Sequence, residues 1–552
     1  MNMKNKKTTG LLLIAGFLML LCGTLGAGVL EINELNKNEA EPDYQRHPHG
    51  GFKSDVSQQN LLGLQRSGKS LLPETSLSAQ APLTLKMCAV RVQFQDESPD
   101  DDSTTGTGQF DFRTYEQFLE EEKHGIDPAP HNREYFEKHI EALNNYWHTV
   151  SNGNLTIEGT VFPADSDSVY TLEHTMGYYG SQSPEFGLGE LFYDALRLAD
   201  RDDDINWIEY DVFVIFHAGS DRQNDLGFPP TPHDLFTGFI IMGEPVPVED
   251  STILIMEGMI MPETASQDNR ATALNAVMAH EFGHQLGLVD LYDTHRFNTF
   301  VGDFSLMDNN GFGTGVDLGF ELTRTILGTI PLYPEAWSRA YLGFNDVVVV
   351  EEGINLDVMA AELASNTSKI YKVPISENEY FLIENRQIDP DRDGGASLKA
   401  DLDGTGVILG PAPNPDVVPP GQPAPLTREY DFLMPGSGMV IWHVDESVAW
   451  LDYDNDGLNN FYDNDLQWYY IEGFDDQFEP WENRPFLRLI EADGIIDFGG
   501  EYWTNFGRAE DMFEANRNDH FGPNTNPSTR SNSIAYTGTV SYTHLTLPTK
   551  RI

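Results

Sequence analysis

The stretch Ala279-His280-Glu281-Phe282-Gly283-His284-Gln285-Leu286-Gly287-Leu288-Val289-Asp290 constrains this chain more than any other. Two histidines four apart on a helix stand on one face about one turn apart, so both imidazoles reach a single tetrahedral metal. Glu281 then lies beside that metal, where a carboxylate takes a proton from an activated water and passes it to a leaving amine. The pattern predicts hydrolase chemistry on peptide bonds, with His280 and His284 as zinc ligands and Glu281 as general base. A third ligand has to come from close by, so the helix must stop. Gly287 tolerates the left-handed backbone of a helix C-terminus, after which the chain can fold back and offer Asp290. Asp293 and Asp303 are the alternatives. A glutamate is not, because residues 291–320 contain none.

Met307, within Phe304-Ser305-Leu306-Met307-Asp308, resembles the methionine turn beneath the zinc ligands of metzincin-type proteases and is expected to form a soft apolar floor. The core HE-aromatic-GH-x-LGL-x-D-x-YD, matched through Tyr292 and Asp293, is similar to that of the immune inhibitor A family of secreted bacterial zinc metalloproteases. Further segments carry the same resemblance: Tyr146-Trp147 leading into Ser151-Asn152-Gly153-Asn154-Leu155, Pro334 to Phe344, Tyr380 to Arg386, Val440 to Asp445, and Glu491-Ala492-Asp493-Gly494. It spans most of residues 86–538. The resemblance implies a metzincin-like endopeptidase made as a zymogen, with catalytic zinc and structural calcium, acting on protein or peptide substrates.

The formal net charge is −53, from 87 acidic and 34 basic residues. Such a surface repels nucleic acid and anionic membranes and attracts cations, so neither a nucleic-acid partner nor stable membrane insertion is expected, and a calcium requirement is natural. Cys22 and Cys88 are the two cysteines. Cys22 falls in a leader, which leaves a mature chain without an internal disulfide. Cys88, in the strand-like run Met87 to Val92, reads as a buried structural thiol instead of a latency ligand. A monomer is expected.

Lys4, Lys6 and Lys7 precede the apolar run Leu11 to Leu21, so residues 1–28 read as a secretory signal peptide and the protein as extracellular. Residues 29–85 are polar and lack a sustained period, which suits a propeptide or linker able to cover a cleft. From residue 86 to 345, helices and strands alternate, predicting an α+β catalytic domain: a helix from Arg133, a second near Leu188, and strands at Asp211 and Thr252. The strand just before the metal-binding helix is expected at a sheet edge, where extended substrate pairs with it. Residues 346–540 read as a β-sandwich, truncated by residues 541–552, a tail of non-native character.

One further loop carries chemistry. Asp452, Asp454 and Asp456, then Gly457, Leu458 and Asp463, match positions 1, 3, 5, 6, 7 and 12 of a calcium loop, with Asp where a sensor site has Glu. Asp389, Asp391 and Asp393 before Gly394 form a weaker second candidate. A calcium-dependent surface-binding or adhesive protein with a vestigial protease site is therefore the rival reading, against which an intact Glu281 argues.

Overall fold

The alternating apolar runs after residue 82, joined by residues 28–32, fold into a mixed sheet with helices on both faces, an α+β arrangement. The structure is a computed structural model describing residues 28–32, 61–66, 70–97, 101–122, 124–225, 227, 229–268, 270–292, 294, 299–308, 315–316, 324–350, 356–363, 369–401, 404–414, 416–418, 424–452, 457–462, 464, 466, 485–496, 498, 506–515, 517–529 and 545–546. Strands β1 (Gly28–Ile32), β2 (Leu83–Gln93), β3 (Leu155–Phe162), β4 (Tyr170–Thr171), β5 (Val212–His217), β6 (Gly238–Val248) and β7 (Ile253–Pro262) form one sheet in the order β1-β6-β7-β5-β2-β3, with β4 also on β2. Only β6 and β7 pair antiparallel.

Strand β5 is buried along its whole length between β2 and β7, as its continuous apolar run predicts. Its faces meet different helices. Phe216 packs on Phe136 of α1 (Arg133–Val150), with ring centroids 4.5 Å apart. On the other side lie Phe213 and, beside it in register, Gly258, against which Phe192 of α2 (Pro184–Ala199) closes so tightly that a Cβ would come within 2.8 Å. Helix α1 starts where Asn132 accepts the Tyr135 N–H, and its apolar stripe (Phe136, Ile140, Leu143, Trp147) faces the sheet and helix α3 (Asn275–Gln285), which carries His280 and His284. Cys88 is fully buried on β2, and burial pushes its thiol far up, which fits the structural role.

Three expectations change. Strand β7, just before α3, is interior, not an edge: antiparallel β6 lies outside it, and β1 runs parallel along the outer side of β6, with Val29 opposite Phe239. Part of the presumed linker is packed. Leu62, Leu64, Leu71 and Leu77 are buried, the Leu77 N–H donates to Gly343 O at 2.6 Å, and Arg66 Nη2 to Tyr341 O at 2.8 Å.

The expected sandwich is, among the described residues, a single five-stranded sheet. It runs β8 (Val347–Val349), β9 (Ile370–Pro374), β10 (Glu379–Arg386), β13 (Gly438–Asp445), β14 (Leu487–Leu489), with two separate pairs, β11 (Ala396–Ala400) with β12 (Ile408–Pro413), and His520–Phe521 with Leu545–Thr546. One face of the five-stranded sheet (Tyr380, Leu382, Val440, Trp442) joins the main core, which also contains Trp337 of α4 (Ala336–Tyr341). The other face (Phe381, Ile383, Ile441) forms a small cluster with Phe513 and Phe521. Both faces are apolar, so the strand pattern is that of a sandwich, but the first partner is the preceding domain. No helix among the described residues is long and apolar enough to cross a membrane.

Candidate metal centre

Helix α3 ends as the glycine predicts. Gly287 has φ of 95°, the Leu288 N–H donates to Gly283 O at 2.9 Å, and the Gly287 N–H donates to His284 O at 2.8 Å. This paired closure satisfies the last carbonyls and turns the chain back on itself. The turn delivers Asp290 to the two histidines.

His280 Nε2 and His284 Nε2 are 3.2 Å apart, and Asp290 Oδ1 is 3.1 Å from the first and 3.3 Å from the second. Ligand atoms at roughly 2.0–2.1 Å from a tetrahedral zinc stand about 3.3 Å from one another. The three donors therefore already hold the spacing of three corners of a zinc tetrahedron. Each histidine is oriented from behind: Nδ1 of His280 lies 2.9 Å from Leu306 O and Nδ1 of His284 lies 2.9 Å from Leu288 O, which fixes the Nδ1–H tautomer and aims both Nε2 atoms at the shared point. Asp290 Oδ1 is buried and accepts no hydrogen bond of ordinary geometry, a cost that a cation would remove.

The electrostatics agree. Despite burial, the adjacent His284 and His280 hold the Asp290 carboxyl well below the usual carboxylate range. Despite burial, the Asp290 carboxylate beside it pushes His280 up to about 9. Glu281 behaves differently: burial, opposed by the two histidines, pushes its carboxyl up to about 7. Its Oε2 accepts the Phe239 N–H of β6 at 2.6 Å, while Oε1 is buried without a partner.

Met307 lies directly under the helix, its Sδ only 2.8 Å from where a Cβ on Gly283 would sit. Its carbonyl accepts the Leu291 N–H at 2.9 Å, and Ser305 Oγ holds its N–H at 3.0 Å while donating to Glu335 at 2.7 Å. Of the alternative third ligands, Asp303 is not grouped with the histidines, and Asp293 lies outside the described residues. In the expected calcium loop, Asp452 is exposed and accepts the Gly457 N–H at 3.2 Å, with Gly457 at φ of 96° and Leu458 following it. Asp454, Asp456 and Asp463 lie outside the described residues.

Asn464 is a site residue that motif reading misses. Its Nδ2 donates to Asp290 Oδ2 at 2.6 Å and its Oδ1 accepts the Asp290 N–H at 2.8 Å. The carboxylate is thus gripped on its far side by a residue 174 positions away, directly after the acidic loop. Nothing local marks it. Outer partners of this kind set ligand orientation, so Asn464→Ala is expected to weaken zinc binding by about 10–100-fold, read by competition with a chromogenic chelator. No family model matches the chain, and no curated protein matches it.

Proposed function

We propose that this chain is a secreted zinc-dependent endopeptidase of the metzincin-like kind, and that His280, His284 and Asp290 hold the metal. The observation that carries the reading is the mutual spacing of 3.1–3.3 Å among three buried donor atoms, beside an unpartnered glutamate oxygen. Zinc held there would supply Lewis-acid polarisation of the scissile carbonyl and a water of lowered pKa. The chain's own residues do the rest. Glu281, anchored through Oε2 to Phe239 N–H, uses Oε1 to take the proton of the attacking water and return it to the leaving amine. Tyr292 and Phe239 flank the histidines, with ring centroids 6.4 Å from His280 and 6.3 Å from His284 respectively.

The test is digestion of a peptide library with zinc content measured alongside. Internal cleavage that disappears on zinc chelation and returns with zinc supports the reading. A zinc-loaded protein that cleaves nothing overturns it and favours the calcium-dependent binding role.

Strand β6 supplies the backbone beside Glu281, and β1 lies on its outer edge. An extended substrate pairing with β6 has to displace residues 28–32. A chain beginning at residue 61 is therefore expected to cleave peptides faster than the full chain at an unchanged melting temperature. A chain beginning at residue 86 also loses Leu62, Leu64, Leu71 and Leu77, each worth about 1.5–3 kcal/mol when fully buried, and is expected to melt lower.

A further inference from the structure

Among the described residues, one cluster other than His280, His284 and Asp290 brings acidic groups close enough to share a metal: Asp389, Asp391 and Asp393 on the loop leaving β10, and Glu429 just before the 3-10 turn Tyr430–Leu433. One oxygen from each lies within 4.8 Å of every other. Oxygens on opposite sides of a calcium ion, each at roughly 2.3–2.6 Å, stand about 4.6–5.2 Å apart, so all four fit a single coordination sphere. The loop curls to make this so: the Asp393 and Gly394 N–H groups donate to Asp389 at 3.1 and 3.3 Å, and Arg392, Gly394 and Gly395 all have positive φ.

Three exposed or half-exposed aspartates on a turn are ordinary solvated surface. Glu429 is not. It is 2 % exposed, and neither of its carboxylate oxygens has a hydrogen-bond partner. Asp393 Oδ1 is likewise buried and unpartnered. Burial, with the charges of Asp391 and Asp393 beside it, pushes the Glu429 carboxyl up to about 7. A buried carboxylate aimed at three others is costly unless a cation meets it.

We propose that Asp389, Asp391, Asp393 and Glu429 form a calcium site. The donors are all hard anionic oxygens, with no nitrogen or sulfur to select zinc, and four carboxylates gathered irregularly from two loop segments suit the large, irregular shell of calcium better than the octahedron of magnesium. The ion joins two segments that flank a buried pair: Arg386, three residues before Asp389, and Asp431, two residues after Glu429, bond to each other at 2.7 Å. Arg386 also holds the Phe304 carbonyl at 3.0 Å, at the start of the methionine turn. Calcium at this site would thus brace the floor of the zinc centre from outside.

The site is tested without reference to catalysis, by calorimetric titration of calcium into the full chain after calcium-selective chelation, with zinc content measured on each sample. Glu429→Gln and Asp391→Asn are each expected to take up one calcium fewer than wild type with zinc retained. Glu429→Gln relieves a buried charge, so in chelator it is expected to melt at or above the wild-type temperature and to gain less when calcium is added. The same loss in an Asp452→Asn background separates this site from the other acidic loop. Equal calcium stoichiometry and equal thermal response in wild type and Glu429→Gln would overturn the proposal, whether or not the protein cleaves peptides.

Discussion

Glutamine in place of Glu281 is expected to slow peptide-bond cleavage by about a hundred- to ten-thousand-fold while zinc content and melting temperature stay at wild-type values. The substitution is nearly isosteric. A carboxamide oxygen still accepts the Phe239 N–H that Oε2 accepts at 2.6 Å, so the buried backbone of β6 keeps its partner. What disappears is proton acceptance at the other oxygen, the one buried without a hydrogen bond. The ligands are untouched, because His280 and His284 are oriented by Leu306 O and Leu288 O and Asp290 by Asn464. The loss should therefore fall on kcat, with KM little changed. Alanine is the poorer probe, since it strands a buried N–H at about 1–3 kcal/mol and mixes a stability effect into the rate. Cleavage that survives in the glutamine variant, or that falls only in proportion to lost zinc, would remove Glu281 from the proton path.

The contrast between what the sequence reveals and what it hides follows the range of the interactions. His280, His284, the Gly287 stop and Asp290 lie within eleven residues, and helical periodicity plus one left-handed glycine is enough to bring them together. Strand β5 and helix α1 are equally legible, because their apolar patterns report burial directly. The order β1-β6-β7-β5 is not legible: spacing along the chain says that β7 precedes α3, but only pairing decides that β6 shields its edge. Leu62, Leu64, Leu71 and Leu77 are scattered through a polar segment without period, so their burial has no local signature. Asn464 and Glu429 are harder still. Each acts on acidic residues tens to hundreds of positions away, and neither residue type nor neighbourhood singles it out.

The same long-range logic governs the largest stability effect. Arg386→Met is expected to destabilise the protein by about 3–5 kcal/mol, measured by urea unfolding of the zinc-loaded chain. Arg386 is fully buried and forks onto Asp431, whose other contacts include the Tyr333 N–H at 3.0 Å. It also donates to Phe304 O and Tyr333 O, so one guanidinium ties the second sheet to the turn beneath His280 and His284. Around it Arg339 pairs with Glu384 and Arg386 with Asp431, and burial, reinforced by Asp431, pushes the Glu362 carboxyl well above its usual range. Methionine fills much of the volume but leaves Asp431 as an uncompensated buried charge, which is where most of the cost arises. The double variant Arg386→Met, Asp431→Leu removes that charge and is expected to regain most of the stability, although Phe304 O and Tyr333 O remain without their donor. A single variant costing under about 1 kcal/mol, or a double variant whose loss equals the sum of the singles, would mean that the pair does not carry the join between the domains. With the pair intact, the carbonyl of Phe304 is pinned from the second domain. The methionine turn therefore depends for its position on a strand 82 residues away, and a chain cut off before residue 346 is expected to lose added zinc more readily than the whole chain.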